Sequence, residues 1–455
     1  MRILENGDPD RNRSPAPRVA LRTVGCKLNR AESEAMAHQL LEAGFLLVPP
    51  DETADVCILN TCTVTHIADR KCRQYLRAFR ARNPRSLVIA IGCYVKRDAS
   101  GLAAMGGVDL LLGNEEKAHI AEVIGRYLNS TTAFQPSTGK PAPSGIFGTR
   151  SMIKIQSGCN RRCAYCIVPH VRGSETSVPP DTIISEIKRR SAEGIKEIVL
   201  TGTRIGAYSD EGGLEGLLNR ILEETEIPRI RLSSLEPDEL SPRLLELWRG
   251  NERLCRHLHM ALQSGSDSVL RRMRRGYATR EYESALRAAR EAMPDIAITT
   301  DVIVGFPGET DAEFEESYRF CEAMEFAAIH VFPYSDRRGT PAAAMGGKVP
   351  APIKKERAHR MLELATKSSI AFRRRFRGEI LPVLWEEQAE KDIWTGYTSN
   401  YLRVFGRSAI TLANRLVPAR LGEEYHQGLW GDIFRDEETT ERPGESEHRW
   451  LKAST

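Results

Sequence analysis

The chain has 455 residues, a formal net charge of +4, and a composition that is 41% hydrophobic and 28% charged. That length suits about two to four domains of roughly 100–200 residues each, and the charge is too small to argue for a nucleic-acid partner by itself. No apolar run approaches the roughly 20 residues that a membrane helix needs, and the opening MRILENGDPDRNRSPAPR lacks the apolar core of a signal peptide. No membrane contact and a cytoplasmic location are therefore expected. Ten cysteines in such a chain argue against a disulfide scaffold and for metal-bound or catalytic sulfur.

In chain order, residues 1–17 read as a disordered leader. An open parallel α/β domain is expected over 18–128, built from three strand–helix units. Its strands VALRTV, VCILNT and LVIAIG are short apolar and β-branched runs, as in a buried parallel sheet. Each is followed by a cysteine: Cys26, Cys62 and Cys93. Asn29 and Glu32 have capping-box spacing for the helix that carries Met36 and Leu40. Ligands of an open α/β sheet sit beyond the carboxyl ends of its strands, where these three cysteines fall. A Ser/Thr/Pro/Gly-rich linker spans 129–149.

Alternation then resumes over 150–376, with six candidate strands: MIKIQ, EIVLTG, RIRLSS, HLHMAL, ITTDVIVG and AIHVFPY. Six units are too few for an eight-stranded barrel and suit an open partial (β/α)6 barrel with its site at the strand C-termini. Residues 377–440 read as a small all-β barrel, and 441–455 as a loose tail. The fold class is α/β with an all-β C-terminal module.

GCNRRCAYCIVPHVRG places cysteines at 159, 163 and 166, directly after a strand. Three thiolates can ligate only three irons of a four-iron cluster, and no fourth cysteine follows nearby. One iron stays open, which is what S-adenosylmethionine needs in order to chelate it and be cleaved to a 5′-deoxyadenosyl radical. A zinc site would want a fourth ligand, and His170 is the only nearby candidate. For Cys26, Cys62 and Cys93 the argument is topological, since parallel strands bring their ends together. They can hold a second cluster, or they can be three buried small hydrophobes. Cys57, Cys72, Cys255 and Cys321 read as packing, and no catalytic side chain beyond the cluster ligands stands out.

The Cys159–Cys166 run resembles the radical S-adenosylmethionine superfamily. That resemblance implies Tyr165 near the adenine, Gly202 and Thr203 of the TGT segment at the methionine amino group, and Gln263, Ser264 and Gly305 at ribose and adenine. VGCKLNRAESE, LNTCTVT and IGCY, with SGCNRRCAYCIVPHVRG, are similar to the methylthiotransferase family, over about residues 18–440, with a TRAM-like C-terminal barrel. The resemblance implies two 4Fe–4S clusters and two S-adenosylmethionine molecules. One cluster, on Cys26, Cys62 and Cys93, carries the sulfur that becomes methylated; the other, on Cys159, Cys163 and Cys166, serves hydrogen abstraction from the substrate carbon.

GCKLN is closest to the Gly-Cys-Lys-Val-Asn of the family branch acting at C2 of N6-threonylcarbamoyladenosine beside the tRNA anticodon, whereas LTGTRIGAY departs somewhat from that branch's form. The implied partners are the tRNA anticodon stem-loop and a reducing donor such as flavodoxin or ferredoxin, with the protein a monomer. The alternatives are isopentenyladenosine in tRNA, a ribosomal-protein aspartate, or a non-catalytic iron–sulfur RNA-binding module. Arginine runs at 271–275 and 373–377 suit a phosphate backbone or a solvated face. Trp394, Tyr397 and Tyr401 suit base stacking or core packing.

Overall fold

The structure, a computed structural model, describes residues 16–131, 148–210 and 212–434. The expected leader up to residue 15, most of the linker (132–147) and the 441–455 tail lie outside the described residues.

The first unit is a five-stranded parallel sheet of β1 (Arg18–Thr23), β2 (Leu46–Val48), β3 (Val56–Thr61), β4 (Leu87–Gly92) and β5 (Leu110–Leu112), ordered β2-β1-β3-β4-β5. The central strands β3 and β4 are buried at every position. That explains their continuous apolar character, because helices cover both faces of a parallel sheet. The edge strands β2 and β5 hold three residues each, too short for a pattern to announce. Helices α1 (Lys27–Glu42), α2 (His66–Arg82) and α3 (Cys93–Ala104) follow β1, β3 and β4. The expected capping box at Asn29 is not formed. The helix already starts at Lys27 with Cys26 at its N-cap and no side-chain cap, and Asn29 and Glu32 are buried for another purpose described below.

The central unit comprises β6 (Arg150–Lys154), a small hairpin of β7 (Gln156–Ser157) and β8 (Thr176–Ser177), then β9 (Glu197–Thr201), β10 (Arg229–Leu232), β11 (Ser234–Leu235), β12 (His257–Met260), β13 (Ala297–Val304) and β14 (Ala328–Pro333). Its wall consists of two parallel runs, β10-β9-β6 and β11-β12-β13-β14, with β6 and β14 as the free edges of an open barrel. Outward residues such as Ile198, Ile230, Leu258 and Val302 join the helices in the largest apolar core. The inward residues are largely polar. Helix α1 of the first unit packs against β6, so one free edge is covered by the neighbouring unit.

The C-terminal unit is a closed barrel of β15 (Ile380–Glu390), β16 (Ile393–Thr398), β17 (Arg403–Arg407), β18 (Arg415–Tyr425) and β19 (Gly428–Ile433), ordered β15-β16-β17-β19-β18. It seats against the N-terminal ends of the central strands. Arg150 and Arg229, the first residues of β6 and β10, reach the Tyr401 hydroxyl (2.8 Å) and the Tyr397 carbonyl (2.8 Å). Arg231 binds the Ser399 carbonyl at 2.9 Å and the buried Glu197 at 2.7 Å.

These contacts revise the expected RNA-facing groups. Trp394 is core, packed with Trp385 and Val404. Tyr397 and Tyr401 stack on each other under Arg150 at the inter-unit seam. Within 271–275, Arg272 is paired with Glu313 and Arg275 with Glu236, leaving Arg271 and Arg274 exposed. Within 373–377, Arg373 and Arg374 pair with Glu424 and Arg377 pairs with Glu423. Long cationic side chains take carboxylates that the fold brings within reach, and such partners are invisible in a local charge run. Among the described residues, no helix is long and apolar enough to cross a membrane.

Candidate active site

The Cys159–Cys166 loop leaves the hairpin at the C-terminal end of the central strands. Gly158 before it has φ +78, and an added Cβ would lie 1.9 Å from the Ser174 carbonyl oxygen, so only glycine fits where the loop crosses itself. Gln156 holds the loop from below. Its side-chain amide donates to the Gly158 carbonyl at 2.9 Å, while its Oε1 accepts the Arg204 N–H at 2.9 Å. The next strand end is thus tied to the cysteine loop.

Arg275 places a guanidinium nitrogen 3.4 Å from Cys163 Sγ and is held by Glu236 at 2.9 Å, which also holds Arg161 of the loop at 2.9 Å. Burial, with the neighbouring Cys163 and Cys159 thiols adding, pushes the Cys166 thiol up to about 12. Thiolates crowded this way need a positive partner. An iron cluster supplies one, and the donor set fits it.

The other three cysteines come from three adjacent strands. Thr61 of β3 pairs in register with Gly92 of β4, so Cys62 and Cys93 leave neighbouring strands side by side. Cys26 follows β1, the neighbour of β3 on its other side. Gly25 (φ +119) lies so close to Cys62 that an added Cβ would sit 2.5 Å from the Cys62 Cβ and 2.7 Å from its Sγ. Asn29 clamps the two turns, donating to the Val24 and Thr61 carbonyls at 2.8 and 2.9 Å, and Asn60 returns a bond to the Asn29 carbonyl at 2.8 Å. That is the local reason for an asparagine at both places. Burial first, then the Cys26, Cys93 and Cys72 thiols, pushes Cys62 up to about 12. This trio is also a donor set that fits an iron cluster.

The two trios stand on facing surfaces. Cys93 packs in one cluster with Ile167 and Val171, the former being the residue after Cys166. Asn114 donates to the Val171 carbonyl at 2.8 Å. Arg172, at the end of the cysteine loop, donates to Asn29 Oδ1 at 2.6 Å and to Glu32 Oε1 at 2.8 Å. Burial would raise Glu32, but Lys117, Arg172 and Lys154 together hold its carboxyl well below the usual carboxylate range. Glu34 of the same helix accepts Ser151 Oγ (2.9 Å) and the Met152 N–H (3.0 Å) on β6. The buried acids of α1 therefore dock the first unit onto the second.

Of the residues expected at S-adenosylmethionine, Tyr165 packs in one apolar cluster with Phe306, which follows Gly305. Gly305 has φ +73 and donates its N–H to Glu309 at 2.6 Å. Gly202 abuts Gln156, and the Thr203 hydroxyl is buried without a hydrogen-bond partner. Gln263 (φ +70) is stitched to β13 through its backbone, donating to the Asp301 carbonyl and accepting from Ile303, both at 2.8 Å. The Ser264 hydroxyl accepts the Ser266 N–H at 3.2 Å. Cys57, Cys72, Cys255 and Cys321 are all buried in apolar surroundings. Cys72 nevertheless approaches the trio, its Sγ 3.6 Å from the Cys62 carbonyl.

Sequence reading did not reach Lys27, Gln156, Arg172, Arg275 or Glu236. The first four lie within a few residues of a singled-out motif, which was the only signal available.

Comparison with known proteins agrees with this architecture. Residues 153–321 match the Radical SAM superfamily, and residues 18–113 match a family described as Uncharacterized protein family UPF0004. The threonylcarbamoyladenosine tRNA methylthiotransferase MtaB of Bacillus subtilis is 34% identical over 92% of this chain and 98% of its own length. Its namesake from Thermotoga maritima is 37% identical over 85% and 90%. The tRNA-2-methylthio-N(6)-dimethylallyladenosine synthase of Syntrophobacter fumaroxidans is 33% identical over 92% and 97%. Among solved structures, the radical S-adenosylmethionine methyltransferase TsrM from Kitasatospora setae covers 72% of this chain and 75% of its own with a TM-score of 0.53 at 16% identity, a likeness of fold. The chain belongs to the methylthiotransferase family of radical S-adenosylmethionine enzymes.

Proposed function

We propose that the protein is a tRNA methylthiotransferase that places a methylthio group on C2 of N6-threonylcarbamoyladenosine at position 37, beside the anticodon. Cys159, Cys163 and Cys166 would hold one 4Fe–4S cluster and Cys26, Cys62 and Cys93 a second. When bound, the first supplies the electron that cleaves S-adenosylmethionine and the second supplies sulfur for the group transferred. The single observation that carries this reading is the facing arrangement of two cysteine trios, tied by Arg172 to Asn29 and Glu32. Tyr165, Gly202, Thr203, Gln263, Ser264 and Gly305 form the proposed S-adenosylmethionine cradle. The proposed domain limits are 18–128, 150–376 and 377–440. A monomer in the cytoplasm, reduced by a flavodoxin or ferredoxin, completes the proposal.

The choice of nucleoside is supported by relatives of 34–37% identity that carry the threonylcarbamoyladenosine name. A dimethylallyladenosine enzyme at 33% over nearly the same span favours the second reading. Mass spectrometry of tRNA nucleosides from a deletion strain decides between them. Loss of the methylthio-threonylcarbamoyl nucleoside is expected, and its persistence would sink this branch. Iron and sulfide analysis of anaerobically prepared protein tests the two-cluster reading, with about eight irons per chain expected for two four-iron clusters and about four for one.

A further inference from the structure

The lumen of the partial barrel holds polar side chains that neither cysteine trio uses. Side chains alternate along a strand, and His259 on β12, Asp301 on β13 and His330 on β14 all face inward. Asp301 is in register with His330, and His259 with Thr299. His259 Nε2 stands 3.4 Å from Asp301 Oδ2, and its Nδ1 lies 2.9 Å from Thr299 Oγ1. This group is not sealed. The Asp301 side chain is 30% exposed, His330 is exposed, and Phe332, the next inward residue of β14, is 42% exposed. Exposed side chains inside a barrel line a chamber that a ligand can enter.

Lys27 belongs to the same chamber. It follows Cys26 and opens α1, the helix that covers the free edge at β6. Its ammonium senses Arg231 and Arg150 as like charges and Asp301 and Glu197 as opposite ones, and its own charge reaches His257 and His330. The other cations nearby have carboxylate partners: Lys117 and Lys154 take Glu32, Arg231 takes Glu197, and Arg150 takes Glu386. Among the described residues, no hydrogen bond or ion pair holds the Lys27 ammonium. A cation drawn partly out of water without a partner is costly, and an incoming anion removes that cost.

Three ligating atoms of His259, Asp301 and His330 lie within 4.8 Å of one another, which by itself would suit a divalent cation. Lys27 argues against that, since a second positive charge would be added beside the first.

We propose that this chamber receives the substituent of the reacting nucleoside, and that Lys27 sets specificity by pairing with a carboxylate on it. Asp301 and His330 meet the substituent's N–H and hydroxyl groups. The assignment rests on the reading of the chain as a tRNA methylthiotransferase, and a threonylcarbamoyl group carries all three functions.

The test uses reconstituted enzyme and two anticodon stem-loop RNAs, one bearing the threonylcarbamoyl group and one its methyl ester. Wild type should prefer the acid in kcat/KM by about 10–100-fold, the worth of a charge-assisted hydrogen bond. Lys27→Gln should collapse that ratio to about one by lowering the acid alone, and Lys27→Arg should restore most of it. Stem-loop affinity should follow the same pattern, at unchanged iron content.

Equal loss on acid and ester in Lys27→Gln, or no preference in wild type, overturns the proposal. A parallel fall in 5′-deoxyadenosine made without RNA would put Lys27 on the carboxylate of S-adenosylmethionine instead. A stoichiometric zinc or manganese ion released by Asp301→Asn would make the chamber a metal site. If wild type modifies neither RNA, the functional reading itself fails, and this assignment falls with it.

Discussion

The two cysteine trios are held by different means. Cys159, Cys163 and Cys166 share one loop, fixed by Gln156 from beneath and by Arg275 beside Cys163. Cys26, Cys62 and Cys93 sit on three turns, and what aligns them is the register of β1, β3 and β4 together with the Asn29–Asn60 clamp. A site on one loop needs only local geometry. A site on three strand ends needs a folded sheet, and here it also shares Asn29 with a second unit through Arg172. The N-terminal trio should therefore be the more easily disturbed by changes away from the sulfurs.

The largest effects come from the thiols. Cys163→Ala should abolish 5′-deoxyadenosine formation, whereas Cys62→Ala should leave it detectable and stop methylthio transfer, both read by chromatography of the nucleoside products. Methylthiolated product from Cys62→Ala would show that the second trio is not a sulfur-donating site.

Arg172→Ala strips one partner from a buried carboxylate that keeps Lys117 and Lys154. Thermal unfolding should report a loss of about 3 kcal/mol, the low end for breaking a buried ion pair. Methylthio transfer should fall more than S-adenosylmethionine cleavage. Gly25→Ala presses a methyl group into Cys62 at a strained φ, at about 1–3 kcal/mol for the backbone strain. Iron content per chain should drop toward a single cluster, and a full iron complement would mean the turn can yield. Cys72→Ala should cost about 1–2 kcal/mol of packing with both reactions retained.

The smallest effect is a pH slope. Burial, then Arg190 and Arg189, lowers His38 on α1 to about 3 from the ordinary 6.5. The folded state thus binds fewer protons than the unfolded one between those values, so stability is retained above about 6.5 and declines as pH falls toward 3. His38→Gln should flatten the unfolding midpoint between pH 7 and 5, and an unchanged slope would place the titration elsewhere.

How much of this was legible depended on distance along the chain. Cys159, Cys163 and Cys166 declare themselves because a cluster's ligands on one loop must follow the loop's own spacing. The central strands were readable because burial on both faces demands continuous apolar runs. Cys26, Cys62 and Cys93 were readable only as topology, since spacings of 36 and 31 residues carry no rule. Asn29 and Glu32 were misread as a helix cap because cap spacing is a local pattern, while their real partners, Val24, Thr61 and Arg172, include groups more than 30 residues away. The arginine run at 373–377 was open to the same error, its acids lying on β18.

By itself the sequence determined the fold class, the order of the three units and the loop cysteines, because helix and strand periodicity and short ligand spacing are local properties. Only the tertiary structure decided that the C-terminal barrel seats at the strand N-termini, that two cysteine trios face each other, and that an unpaired Lys27 reaches into the lumen with Asp301 and His330. Those facts depend on which charged and polar groups meet once the backbone is packed. Local patterning does not encode such meetings, because long side chains pair with whatever the fold brings within a few ångströms.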